Sequence, residues 1–156
     1  MSEYSLRVGR IPGDIEPMIV LYEESARFHM SLAPDRFRLP DPSALRDQLM
    51  AAAEAIHVVI AESDEQVVGM AVAHMVPTAE DGGIASATGP EARIADIVVV
   101  EEARRSGVGR LLLDAIEEWA LSQGATQLSL EVDAANHGAG RLLYEHRIRS
   151  AAHPHD

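Results

Sequence analysis

Asp96-Ile97-Val98-Val99-Val100-Glu101-Glu102-Ala103-Arg104-Arg105-Ser106-Gly107-Val108-Gly109-Arg110 decides how the rest of the chain is read. Its first part is apolar at consecutive positions, the mark of a strand buried on both faces, and predicts a strand from Arg93 to Val100. Its second part is a glycine-bearing turn, which opens a helix running to about Gln123. In that helix Val108, Leu112, Ala115, Ile116 and Trp119 share one face, while Asp114, Glu117 and Glu118 point away. Gly124 stands where a glycine stops a helix. Gln127 to Val132 then alternates apolar and polar residues through Leu128, Leu130 and Val132, as a strand does. A strand–helix–strand crossover of this kind places its two strands parallel.

Working outward, the N-terminal half predicts a strand at Tyr4 to Ile11 and a break at Pro12-Gly13-Asp14. A helix from Ile15 to His29 follows, capped by Asp14, and a second from Ala44 to about Ala55, capped by Ser43. His57 to Ala61 and Gln66 to Val76 form a hairpin about Ser63-Asp64-Glu65. Pro77 to Pro90 is the longest irregular stretch, either a functional loop or a plain connector. Asp133 to Asn136 is a turn, and a last helix is expected from about His137 to His146. The order β-α-α-β-β-β-α-β-α describes an α/β domain over residues 1–156 with a mixed, mostly antiparallel sheet and a central parallel β-α-β unit.

Composition narrows the function. The 156 residues include 25 acidic and 13 basic side chains, a net charge of −12. That length suits one domain able to bury its own core. No apolar run reaches the roughly 18 residues needed to span a bilayer, and Met1 to Arg10 does not resemble a secretory signal. With no cysteine, disulfides, thiolate metal sites and cysteine nucleophiles are excluded, which fits a cytoplasmic protein. The acidic balance argues against nucleic acid as a partner. It fits either a cationic substrate or simple solubility.

The glycine turn admits three readings. In all of them, free backbone N–H groups and the helix dipole favour an anion at the start of the helix. A P-loop is ruled out because no Gly-Lys-Ser/Thr closes the turn. A dinucleotide fold begins well with Gly107-x-Gly109, and Asp133 lies near the place of a ribose-binding acid. Leu112, however, occupies the third glycine position, and an antiparallel hairpin precedes the unit. The third reading is Arg104-x-x-Gly107-x-Gly109, the pyrophosphate loop of acyl-CoA-dependent acyltransferases.

The context of that loop is what distinguishes it. Asp96-Ile97-Val98-Val99 precedes it, and an amphipathic helix, a strand and Asn136-x-x-Ala139-x-x-x-Leu143-Tyr144 follow. Upstream lie two helices and a hairpin bearing Gly69. From about Tyr4 to Tyr144 the chain resembles the GNAT N-acyltransferase superfamily. The resemblance implies helices on both faces of the sheet, and transfer of an acetyl group from acetyl-CoA to a primary amine of a small molecule or peptide in a ternary complex.

It also implies roles for residues. The backbone N–H groups of Arg104, Arg105, Ser106, Gly107, Val108, Gly109 and Arg110 would bind the pyrophosphate. The edge at Ile97, Val98 and Val99 would hold the pantetheine arm and polarise the acetyl carbonyl. Tyr144 would protonate the departing thiolate. Asn136 would cap the last helix or touch the cofactor. Asp96 would act as general base or amine anchor, with Glu23, Glu24 and His29 as alternatives. Where the family continues with Glu-Lys-x-Gly-Phe and two more strands, this chain reads Glu145-His146-Arg147-Ile148-Arg149. A C-terminally shortened fold is therefore expected, with an open edge on the strand Gln127 to Val132 and a homodimer to cover it. The same departure leaves a second reading, a catalytically weak acyl-CoA-binding or assembly protein.

Overall fold

The computed structural model describes residues 4–77, 89–133 and 141–147, with side chains up to residue 130. A six-stranded sheet runs in chain order: β1 (Ser5–Val8), β2 (His57–Ser63), β3 (Gln66–Met75), β4 (Glu91–Val99), β5 (Gln127–Asp133) and β6 (Arg141–Arg147). Every neighbouring pair is antiparallel except β4 and β5, which are parallel. Helices α1 (Ile15–Leu32) and α2 (Pro42–Ala52) precede the hairpin, and α3 (Val108–Ser122) links β4 to β5. The parallel pair is the crossover read from the sequence.

Two apolar layers sandwich the sheet. On one face α3 buries Val108, Leu112, Ile116 and Ala120 against Ala71, Ala73, Ala92 and Ile94. On the other, Ile15, Met18, Ile19 and Leu21 of α1 and Leu49 of α2 pack on Val58, Ile60, Met70, Val72 and Val98. The hairpin turns through Asp64 and Glu65, both at positive φ, 51° and 67°, as a two-residue hairpin loop of this twist requires. Gly124, at φ 86°, follows α3.

Several boundaries and caps differ from expectation. Asp14 stands at the start of α1, yet its carboxylate does not cap the helix. Two nitrogens of Arg7, each at 2.8 Å, and the backbone N–H of Arg10 at 2.7 Å take it instead. A bidentate charged donor outcompetes a capping amide. Asp41, not Ser43, caps α2, accepting from the Ser43 amide at 3.3 Å with Pro42 opening the helix. The expected last helix is, over Arg141–Arg147, the strand β6, whose register pairs Gln127 with Arg147 and Asp133 with Arg141. A helix there would leave the N–H and C=O groups of β5 without partners, and the ladder satisfies them. The open β5 edge that favoured a homodimer is thus filled. The Pro77 to Pro90 loop falls outside the described residues over 78–88.

Gly69 sets the fit of α3 on the sheet. A Cβ there would lie 3.1 Å from the Val98 carbonyl oxygen and 3.3 Å from both Val108 and Leu112 side chains. Gly69→Ala is expected to lower the unfolding free energy by about 1–3 kcal/mol, seen as an earlier urea midpoint with an unchanged slope.

Candidate functional site

The site is built where β4 leaves β5. Pairing between them runs from Glu91 opposite Gln127 to Ile94 opposite Leu130 and stops. Pairing of β4 with β3 continues to Val99 opposite Gly69. From Ala95 onward, β4 therefore has a ladder on one edge and, among the described residues, no strand on the other. That edge faces a cleft of about 770 Å³, whose far wall is formed by α1 and the segment after it.

A bulge marks the parting. Val72 faces Asp96 and Ala73 faces Ile94, so Ala95 is one residue extra on β4. The alternation of side chains changes phase across it. Ala92 and Ile94 belong to the layer under α3, whereas beyond the bulge it is Ile97 and Val99 that pack there, and Val98 joins the layer under α1. Asp96 shares the Val98 face, and its Oδ2 accepts a 2.8 Å hydrogen bond from the hydroxyl of Tyr22 on α1. Burial pushes the Asp96 carboxyl above the ordinary carboxylate range, and the Tyr22 bond opposes that rise. Burial, with the Asp96 charge behind it, pushes the Tyr22 phenol well above its usual range. Tyr22 is thus a fixed donor rather than an acid.

The floor at the other end is the start of α3. A 3-10 turn (Glu101–Ala103) leads through Arg104 to Arg105 at φ 67° and Gly107 at φ 91°. The first α3 bond joins the Leu111 N–H to the Gly107 carbonyl at 3.1 Å, so the amides up to Arg110 precede the helix ladder, and no side chain caps them. The Arg104 N–H, expected to bind an anion, is instead taken by the Glu101 carbonyl at 3.2 Å, closing the 3-10 turn. A Cβ on Gly107 or Gly109 would meet nothing within 4 Å, which leaves this backbone open to an anion. Arg104 and Gly109 line the cleft. The Arg104 Nε donates to the Val99 carbonyl at 3.1 Å, and its guanidinium lies 5.1 Å from the Phe28 ring centre.

The structure thus brings Asp96, Ile97, Val98, Val99, Arg104 and Gly109 to one cleft. Arg105, Ser106 and Gly107 form the turn below it, with the Ser106 hydroxyl donating to the Ala103 carbonyl. Val108 sends its side chain into the core. Arg110 faces a smaller pocket of about 310 Å³ and pairs with Asp114 at 3.3 Å. Tyr144 lies on β6 opposite Leu130, not on a helix, and its side chain is outside the described residues, as is all of Asn136. Of the alternatives on α1, His29 lines the cleft, while Glu23 and Glu24 do not. The His29 Nδ1–H donates to the Ser25 carbonyl at 2.8 Å, since a carbonyl can only accept, which leaves the lone pair on Nε2.

An uncapped helix start, a bare strand edge and a buried carboxylate in one cleft can hold an anionic carrier, run an extended arm beside a strand and take up a proton. Residues 20–147 match the Acetyltransferase (GNAT) family model. The chain belongs to the GNAT acetyltransferase family. No curated protein matches it in sequence.

Solved structures share the GNAT fold. A GNAT-family protein from Desulfovibrio desulfuricans is 18% identical, with 94% of this chain and 100% of that one covered at a TM-score of 0.69. An aminoglycoside N-acetyltransferase in complex with CoA is 19% identical, covering 88% and 82% at 0.64. A protein from Bacillus halodurans is 22% identical, covering 86% of each chain at 0.71.

Tyr22 was missed as a site residue, because spacing alone reads it as part of the apolar face of α1. Its coupling to Asp96 has a direct check. By carbon NMR the Asp96 carboxyl is expected to titrate above the ordinary value of about 3.9. It should move higher still in Tyr22→Phe, which removes the bond favouring the ionised form. A downward move would contradict this arrangement.

Proposed function

We propose that this GNAT protein is an acetyl-CoA-dependent N-acetyltransferase that passes an acetyl group directly to a primary amine of a small molecule or peptide within a ternary complex. The observation that carries this reading is the parting of β4 from β5 at a cleft that also contains the uncapped start of α3. When bound, acetyl-CoA supplies a thioester carbon open to attack and a thiolate able to leave.

The residues of the chain do the rest. N–H groups from Ser106 to Arg110, at the positive end of α3, receive the diphosphate. The bare edge of Ile97, Val98 and Val99 aligns the pantetheine arm as a strand would, and an N–H of this segment stabilises charge developing on the thioester oxygen. Asp96 accepts the proton that the amine gives up as the new N–C bond forms. Tyr144 gives a proton to sulfur as the C–S bond breaks, so one proton enters the chain and one leaves it. Its raised pKa suits Asp96 to this task better than an ordinary surface carboxylate. With β6 covering β5, no observation favours an inactive binding protein.

Calorimetry with acetyl-CoA, followed by a thiol-release assay on a panel of amines, tests the proposal. Binding is expected, and Gly109→Asp should weaken it at least about tenfold by placing a negative charge against the diphosphate. Asp96→Asn should lower kcat by roughly 10²–10⁴, and the acid limb of the wild-type kcat/KM profile should disappear. Absence of acetyl-CoA binding to the intact chain would overturn the reading.

A further inference from the structure

The wall of the cleft opposite the β4 edge has an uneven composition. The chain has only two Phe, three Tyr and one Trp, yet both Phe28 and Phe37 line this cleft, with Tyr22 deeper on the same wall. Phe28 is 40% exposed, and the His29 ring, its centre 5.0 Å from that of Phe37 and 5.7 Å from that of Phe28, bridges the two. Phe37 is half-buried, with the Arg36 guanidinium 5.9 Å from its ring centre as that of Arg104 is 5.1 Å from Phe28. Partly exposed aromatic rings gathered at a cleft mark a surface for a flat apolar group.

Charge adds a second constraint. The chain carries −12 overall, but two arginines, Arg38 and Arg104, face the cleft against one carboxylate, Asp96. Arg104 is engaged by the Val99 carbonyl and the Phe28 ring. Arg38 is exposed and makes no ion pair among the described residues. A guanidinium at the acceptor end repels a purely cationic amine and attracts a carboxylate, which it can bind through two N–H groups. The local sign thus departs from what the net charge suggests.

Resting on the acetyl-transfer reading above, we infer that the acceptor is a free amino acid with an aromatic side chain. Its ring lies against Phe28 and Phe37, Arg38 binds its carboxylate and Asp96 faces its amine. The inference is tested by initial rates of thiol release with three acceptors: phenylalanine, phenylethylamine, which lacks the carboxylate, and alanine, which lacks the ring.

For the wild-type chain, kcat/KM for phenylalanine is expected to exceed that of each of the others by at least about tenfold, the range of one charge-assisted contact. Arg38→Gln should bring phenylalanine down to the level of phenylethylamine by raising the KM for phenylalanine rather than for acetyl-CoA. Equal rates with phenylethylamine, no turnover of phenylalanine, or a rise in the acetyl-CoA KM of Arg38→Gln would each overturn the assignment. Turnover of other amines in those cases would leave acetyl transfer intact, whereas failure to bind acetyl-CoA would remove both.

Discussion

One extra residue, Ala95, governs the geometry of this chain. In a strand of unbroken alternation Asp96 would share the face of Ile94 and enter the apolar layer beneath α3. A carboxylate there would have no partner and would cost several kcal/mol to bury (roughly the upper range for an unpaired polar group). The bulge turns Asp96 to the opposite face, where Tyr22 meets it at 2.8 Å. At the same point β4 stops pairing with β5. Beyond it, among the described residues, β4 has a ladder on one side only, and on the other the Arg104 side chain reaches the Val99 carbonyl, so the edge can take further hydrogen bonds from the cleft. The Asp96 carboxyl and the strand edge are therefore presented together, by the same irregularity.

Two carboxylates show how environment divides roles. Asp14 is buried and Asp96 half-buried, and they shift in opposite directions. The Arg7 guanidinium and the Arg10 amide hold Asp14 below the usual carboxylate range, and burial without a cation lifts Asp96 above it. The sign for Asp14 makes its contribution to stability fully present above the unfolded carboxylate value and lost as pH falls through its lowered folded value. Asp14 is a structural clamp joining β1 to the start of α1. Asp96 has, among the described residues, a phenol as its hydrogen-bond partner and no cation, and burial raises its affinity for protons, the property on which its proposed role as a base rests.

What could be read from the sequence follows from the range of the forces involved. The period of 3.6 in α3, the glycines before and after it, and the apolar run of β4 are local, and each predicted its element and the parallel crossover. The start of β4 was placed two residues late because Glu91 and Arg93 are polar, although they pair across to β3 and β5 and bond through Ser129. The Tyr22–Asp96 bond spans 74 positions, and no periodicity on either element reveals it. The bulge was equally hidden, since Ala95 is an unremarkable residue in an apolar run. At the end of the chain, the spacing from Asn136 to Tyr144 favoured a helix, but Arg141–Arg147 meets the hydrogen-bonding demand of β5 instead. The two phenylalanines gave no signal of a shared site because they come together only through the turn after α1.

The two halves of the cleft answer to different constraints. On the β4–α3 side, Gly69 admits Val108 and Leu112 close to the sheet, and Gly107 at φ 91° makes the turn that opens α3. A side chain at either glycine would disturb the core or strain the backbone, so this side tolerates little change. On the opposite wall, the residues from Ser25 to Pro40 are half exposed or exposed and belong to neither apolar layer. Its side chains can change at little cost to the fold, since exposed substitutions usually alter stability by no more than about 0.5 kcal/mol. Sequence identities of 18–22% at TM-scores of 0.64–0.71 fit this division. The fold is shared at that level of identity. Phe28, Phe37 and Arg38 stand on that wall, where neither apolar layer includes them, so the proposed contacts with an acceptor can be altered there without disturbing the core.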